Sequence, residues 1–532
     1  MNMDIAILSS KIFTGDPKTP WAEAVGIKDG RIAAVGSDQE IKRLCSGHTK
    51  ILNLPERLVV PGLVDGHAHF CSFGQTLNLV NLKNLSSLAQ CREKIRTAVS
   101  TYPPGEWIVA RGWDDRQWQE NRQPTRGDLD DIAPANPLML FRADGHTVWV
   151  NSLALEKAGV TKDSPDPPGG KIERDPTTGE PTGILREAIG VLRKFMPRSS
   201  REDLKAAALA AQQEALKSGL TGIHSSEMLP QFEALAELDK EGKLKIRIYH
   251  LLRPQDIEAL SALAIKPGDG SPRLWVGHMK LFADGSLGSS TALLHEPYRG
   301  DPSNSGLSAL PVESLRDQIR RIYGWGGAVA IHAIGDRAVS NCLAAIAAAR
   351  EMEGIRPGEK RDRLEHVQLH RSIDLPLFLS LNVAASVQPV FTSTDWQQAE
   401  EKWGHRRCRR AYAWKTFRKA GIQVQFGSDA PFDHINPILG IQAAVTRQTP
   451  EGEPPGGWFP EERLTLEECI EGFTRIPAWT SHRENDLGSI SPGKRADITV
   501  FEKNLFEVAP KNWPSIPVEM TMIDGEIVYQ KY

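Results

Sequence analysis

Apolar and polar positions follow two different rhythms along the 532 residues of this chain. Near its start, short apolar runs are separated by Gly and Asp turns, as in MDIAILSS, AVGIKDGRIAAVG and KILNLPERLVVPG. Brief apolar runs bounded by turn residues predict strands, and Asp29-Gly30 between Lys28 and Arg31 predicts a hairpin with a two-residue loop. The far end repeats the pattern in LGSISPGKRADITVFEKN and VEMTMIDGEIVYQ, with a second Asp-Gly at Asp524-Gly525. Two β-rich ends around a long middle predict one small β-sandwich domain built from both termini, residues 1–60 with 484–532.

The middle, residues 61–483, alternates helix-length amphipathic stretches with short continuous apolar runs. RLVVPGLVDGHAHF gives a first strand, and SREDLKAAALAAQQEALKSGLTGIHSSE a capped helix followed by a strand ending near His224. LKIRIYHLL, LWVGHMKLFADG and the helix-then-strand SLRDQIRRIYGWGGAVAIHAIGD follow, then RDRLEHVQLH, NVAASVQPV and TFRKAGIQVQFGSDAP. Eight apolar strands with helical connections predict a parallel sheet closed as a (β/α)8 TIM-like barrel. An insertion at about residues 72–201, rich in Trp, Gly and Pro, separates the first two strands, and GGKIERDPTTGEPTGIL within it predicts a hairpin around Gly179-Glu180. Following a strand's C-terminal end, such an insertion belongs to the catalytic face of a barrel.

Composition changes this picture little. A net charge of -3 gives no electrostatic footprint for nucleic acid or an anionic membrane, and no run approaches a membrane span. Six single cysteines, none in a Cys-x-x-Cys pair, suggest neither a disulfide framework nor a thiolate zinc site. With no signal-peptide pattern, the expectation is a cytoplasmic enzyme acting on a small molecule, with room left for a homo-oligomer.

Chemistry-bearing residues gather at the ends of the predicted strands: His67 and His69, His224, His250, His278 and Lys280, His332, His366 and Asp429. Barrel enzymes place catalysis at the C-terminal ends of their strands. Residues i and i+2 share a strand face, so two imidazoles one residue apart can converge on one ion. A lysine ending an apolar strand is costly unless paired. Lys280 therefore either pairs with Asp284 or Asp429, or has a burial-lowered pKa that frees its amine to react with carbon dioxide. His224 and His250 read as wall residues, and His278 as packing behind Lys280. In the insertion, His146 is a candidate substrate contact. Trp113 is a second, forming a pocket wall if the insertion covers the mouth and a local core otherwise.

The set VDGHAH, MKLFADGSLGS, IHAIGD, RLEHVQ and GSDAP resembles the metal-dependent amidohydrolase superfamily. Within it, the chain is similar to the amidohydrolase-3 (YtcJ-like) group that includes N-substituted formamide deformylases. RGWDD, DGHTVWVNS, GEPTGILRE and SPGKRADITVF extend the likeness over nearly the whole chain. The resemblance implies that His67 and His69 bind one divalent ion, and that Lys280, N6-carboxylated, bridges to a second held by His332 and His366. Asp429 would then sit against the first ion and the attacking water. Nitrogen-rich ligands favour Zn2+, as one ion or two, with iron, nickel or manganese as alternatives. The implied activity is hydrolysis of a non-peptide C–N bond, in an N-substituted formamide or N-acyl amine, with Asp429 as general acid and base. A cyclic-amide hydrolase or a deaminase would use the same attack, and an inactive scaffold is the rival from outside catalysis.

Overall fold

The computed structural model describes every residue except 1, 78, 144–146, 168–169, 196–198 and 532. All eight strands predicted for the middle form, as β1 Leu63–Ala68, β2 Leu220–Ser226, β3 Arg247–Leu252, β4 Leu274–Phe282, β5 Val329–Ala333, β6 Arg363–His366, β7 Ala384–Val387 and β8 Val424–Phe426. They pair in parallel in that order, and nearly every residue in them is buried, as expected where helices cover one face and the other lines a barrel. The predicted capped helix is Arg201–Lys217, whose entry is fixed by Ser200 and Asp203: Ser200 Oγ accepts from the Asp203 amide, and the Asp203 carboxylate accepts from the Ser200 amide.

The seam between β8 and β1 is closed by bonds from the chain just beyond the strands. Asp429 N donates to the His67 carbonyl at 2.7 Å, and His69 N to the Ala430 carbonyl at 2.8 Å. Asp65 pins the same seam: one oxygen accepts from His67 N and Ser428 N, the other from the Ser428 hydroxyl. The approach is close enough to demand glycine. A Cβ on Gly427 would lie 2.4 Å from His67 N, and one on Gly66 would lie 2.7 Å from the Phe426 carbonyl.

Strands from the two chain ends share one eight-stranded sheet. Leu58–Pro61, immediately before β1, pairs with Ile498–Phe501. Both Asp-Gly loops form as predicted, with φ +50° and +71° at Asp29 and Gly30 and +52° and +75° at Asp524 and Gly525. This sheet and the barrel lie in one compact unit, Met1–Gly74 with Leu204–Tyr532. A buried polar junction links them: Arg247 at the start of β3 bonds both oxygens of Asp497 (2.6 and 2.9 Å) and one of Asp524 (2.6 Å).

The second unit is Gln75–Asp203, a few residues later than the expected 72–201. It holds a six-stranded sheet, including the predicted hairpin as Lys171–Arg174 and Pro181–Arg186. Trp113 belongs to this unit's own core, against Trp118 and Trp149, and its indole N–H donates to the Leu140 carbonyl at 2.8 Å. It is completely buried, which is the local-core placement, the second of the two that its position in the sequence allows. His146 lies outside the described residues. No helix among the described residues is long and apolar enough to cross a membrane.

Candidate metal centre

His67, the fifth residue of β1, is buried, and His69 follows the strand on the same face. Their Nε2 atoms lie 3.4 and 3.2 Å from Asp429 Oδ1. Asp429 follows β8 with φ +59°, a left-handed conformation that aspartate tolerates better than most residues. His366, the last residue of β6, has φ +74°. The strand period gives Arg363 and Glu365 one face. His366 breaks that period, which brings its ring within 5.2 Å of His67's and 4.6 Å of His332's. Potential ligand atoms of His67, His366 and Asp429 all lie within 4.8 Å of one another. The geometry thus joins His366 to His67 and Asp429, a tighter grouping than separate sets for two ions.

The imidazoles are held by their outer nitrogens. His69 Nδ1 meets the Ser226 carbonyl at 2.7 Å, and His332 Nε2 meets the Gly285 carbonyl at 2.8 Å. A carbonyl only accepts, so each ring donates there, which leaves its other nitrogen to face the centre. For His69 that nitrogen faces Asp429, and although burial alone would lower the ring's pKa, that carboxylate raises it. His67 Nδ1 bonds Glu365 Oε2 at 2.6 Å, and His366 Nδ1 bonds Gln388 Oε1 at 2.8 Å. Burial holds His332 down to about 4 and lowers His67 and His366, which favours the neutral rings a cation requires. Although burial alone would raise its pKa, Asp429 stays well below the usual carboxylate range because His69, His67 and His366 surround it.

These contacts test whether a cation fits. Among the described residues Asp429 Oδ1 is enclosed without a well-aligned hydrogen bond, with imidazole nitrogens 3.2 and 3.4 Å away. A cation between the rings and the carboxylate would satisfy both, and the N,O donor set suits a divalent transition ion. The residues fit the group.

Lys280 is buried in β4, and burial brings its amine down to about 8. Neither expected salt bridge forms, since no carboxylate among the described residues lies within 4.0 Å of its amine. Asp284 instead accepts from Leu293 N, Ile334 N and Gly335 N, fixing the turn after β5. Glu365 carries a role the sequence did not reveal. It is fully buried, holds His67, and forms a 2.6 Å ion pair with equally buried Arg363. Arg363 in turn donates to His224 Nδ1 at 2.9 Å, so that lone pair is occupied and His224 is a wall residue. His278 bonds Tyr249 OH at 2.8 Å and the Arg361 carbonyl at 2.8 Å, on the face shared with Lys280. His250 packs against Phe232 away from this set, and Cys71 is a buried free thiol. The sign that could have exposed Glu365 was its i+2 spacing from Arg363, which puts the two opposite charges on one face of a short strand.

A parallel barrel whose strand ends bring four imidazoles and a carboxylate together is the architecture of a metal-dependent hydrolase. The chain belongs to the amidohydrolase family: the family profile Amidohydro_3, described as "Amidohydrolase family", matches residues 50–529. That membership makes it a hydrolase of C–N bonds other than peptide bonds. It is 33% identical to "Putative amidohydrolase YtcJ" of Bacillus subtilis (strain 168), with 96% of each chain covered. It is 28% identical to "N-substituted formamide deformylase" of Arthrobacter pascens, covering 99% of this chain and 98% of that one. Among solved structures it is similar to an uncharacterised metal-dependent hydrolase from Pyrococcus furiosus. That similarity has a TM-score of 0.78 and 29% identity over 94% of this chain and 99% of that one.

Proposed function

We propose that the chain hydrolyses a small non-peptide amide, either an N-substituted formamide or an N-acyl amine. The observation that carries this reading is the enclosed Asp429 oxygen that faces His67 and His69 without a well-aligned hydrogen bond. His67, His69, His366 and Asp429 would hold a divalent cation, Zn2+ by the chemistry of the donors, and when bound it would supply a lowered pKa for water, from 15.7 towards about 7, and polarisation of the scissile carbonyl. Asp429, ionised at neutral pH, accepts the proton from the attacking water and delivers it to the departing nitrogen. His67 and His69 keep its carboxylate aimed at the reacting centre. The formamide deformylase relative supports the substrate class.

Lys280 is proposed to be carboxylated. A buried amine without a carboxylate partner and with its pKa near 8 has a neutral fraction that adds to carbon dioxide, releasing one proton and leaving an anionic carbamate beside His332 and His366. Lys280→Ala is expected to lose metal and activity together, with partial return of both on adding a short carboxylic acid. Free cysteines at all six positions support a reducing, cytoplasmic setting.

The test is a screen of N-substituted formamides, N-acyl amines and cyclic amides on protein reconstituted with Zn2+, Fe2+, Ni2+ or Mn2+. Release of amine with formate or carboxylate is expected. Ring-opened acid or ammonia as the product would replace the reading, and no cleavage with any metal would remove it.

A further inference from the structure

The barrel mouth carries a cation that amide hydrolysis alone does not use. Arg253 directly follows β3, and its guanidinium carbon lies 4.7 Å from the centre of the Phe282 ring. Phe282 ends β4, is 42% exposed, and stacks 5.5 Å from the ring of His332. The Lys280 amine sits 5.2 Å from the centre of the Phe282 ring. Arg253 therefore stands one aromatic ring away from the candidate centre.

Among the described residues no carboxylate lies within 4.0 Å of the guanidinium, and Nη1 is enclosed without a hydrogen-bond partner. The two acids that bear on it electrostatically are Asp256 and Glu227, and both are committed elsewhere. Asp256 accepts the backbone N–H of Arg253 itself. Glu227 accepts from Cys71 N, Ser72 N, the Ser72 hydroxyl and the Ser225 hydroxyl. An idle donor on a half-buried, permanently charged group is costly to maintain without a partner. Beside His69, by contrast, the surface is apolar: Phe432 is 76% exposed, with its ring 5.7 Å from that of His69.

We infer that Arg253 is a specificity-determining residue that grips a carboxylate on the substrate, so that the preferred amides are acidic ones. The inference rests on the C–N hydrolase reading above and narrows it. The guanidinium fork matches a carboxylate with two parallel bonds, and its stacking on Phe282 orients the fork before substrate arrives. Phe432 offers a surface for an apolar group on the other side of the scissile bond.

The experiment uses matched pairs: N-benzoylglycine, N-benzoyl-β-alanine and N-benzylsuccinamic acid, each beside its analogue with the carboxylate replaced by a carboxamide. In metal-reconstituted protein, kcat/KM is expected to favour the acid of at least one pair by about 10- to 100-fold. Arg253→Met, which keeps the apolar stem, is expected to cut that ratio at least tenfold at equal metal content. An equal fall for both members of every pair would overturn the inference, because it would mark Arg253 as a partner of a Lys280 carbamate or as a packing residue. Absence of any acid preference would overturn it as well.

If no pair is cleaved, the hydrolytic reading fails for these amides, and calorimetric titration of the same compounds then decides on Arg253. Tighter binding of the acid that vanishes in Arg253→Met sustains the inference, and equal affinities end it. Should Arg253→Met not fold, Arg253→Gln makes the same comparison.

Discussion

Single side chains in this molecule are defined by what stands behind them. Asp429 is drawn towards the centre by two imidazoles and left without a well-aligned hydrogen bond on Oδ1, so its charge and its position can be separated by mutation. Asp429→Asn keeps the shape and removes the proton acceptor. Turnover is expected to fall about 10²- to 10⁴-fold while most metal is retained, read by steady-state kinetics and elemental analysis. Near-normal rates would remove Asp429 from acid–base chemistry. Glu365 makes the complementary case, because it is fully buried behind His67. Glu365→Gln should weaken metal binding about 10- to 100-fold in a chelator competition, since the ring loses the carboxylate that fixes its tautomer. It should also destabilise the metal-free chain by about 3–5 kcal/mol, because Arg363 would remain charged and fully buried. Unchanged metal affinity would reduce Glu365 to a structural counter-ion. The ligand types were legible in the sequence because histidines and an aspartate ended apolar runs. Glu365 was not, because a charge inside a short motif gives no sign of the partner it meets across the barrel.

At the level of elements, the site depends on how closely β8 approaches β1. VDGHAH and GSDAP are one feature in space: Asp65 of the first bonds Ser428 of the second, while Gly66 and Gly427 leave room for the backbones to meet. The eight strands were predictable because their apolar runs are continuous and helix-length segments separate them. The seam was not, since its bonds come from residues past the strand ends and from left-handed turns at His366 and Asp429 that no periodicity encodes. Gly427→Ala tests the seam. The new Cβ would meet backbone at 2.4 Å, so the strands must part, at about 1–3 kcal/mol. Thermal unfolding should begin earlier, and metal stoichiometry should fall with it. Gly324→Ala is the control: Gly324 is the last residue of the helix Val312–Gly324, no described atom lies within 4 Å of the added one, and alanine there should be neutral or stabilising by at most about 0.5 kcal/mol. Equal behaviour of the two variants would show that the seam tolerates separation.

Across the whole molecule, the question is whether the centre is shaped by its ion or waits for it. Every imidazole of the candidate set is already fixed by a second bond, to Glu365, Ser226, Gly285 or Gln388, and Asp65 fixes the chain that carries His67. The terminal sheet braces the barrel through Arg247, Asp497 and Asp524 without involving the centre. Such a scaffold should survive loss of metal. Chelation is therefore expected to abolish activity yet leave a cooperative unfolding transition at a lower temperature. Binding to the folded state alone adds about 4 kcal/mol at a thousandfold excess over Kd, small against the large folded core. Differential scanning calorimetry with and without a chelator measures this, and restoring the ion should return both the transition and the activity. Loss of the cooperative transition on chelation would mean that the ion organises the strand ends, as in small metal-folded domains. The second bonds to each histidine would then be consequences of the metal's presence and not the reason it finds a prepared site.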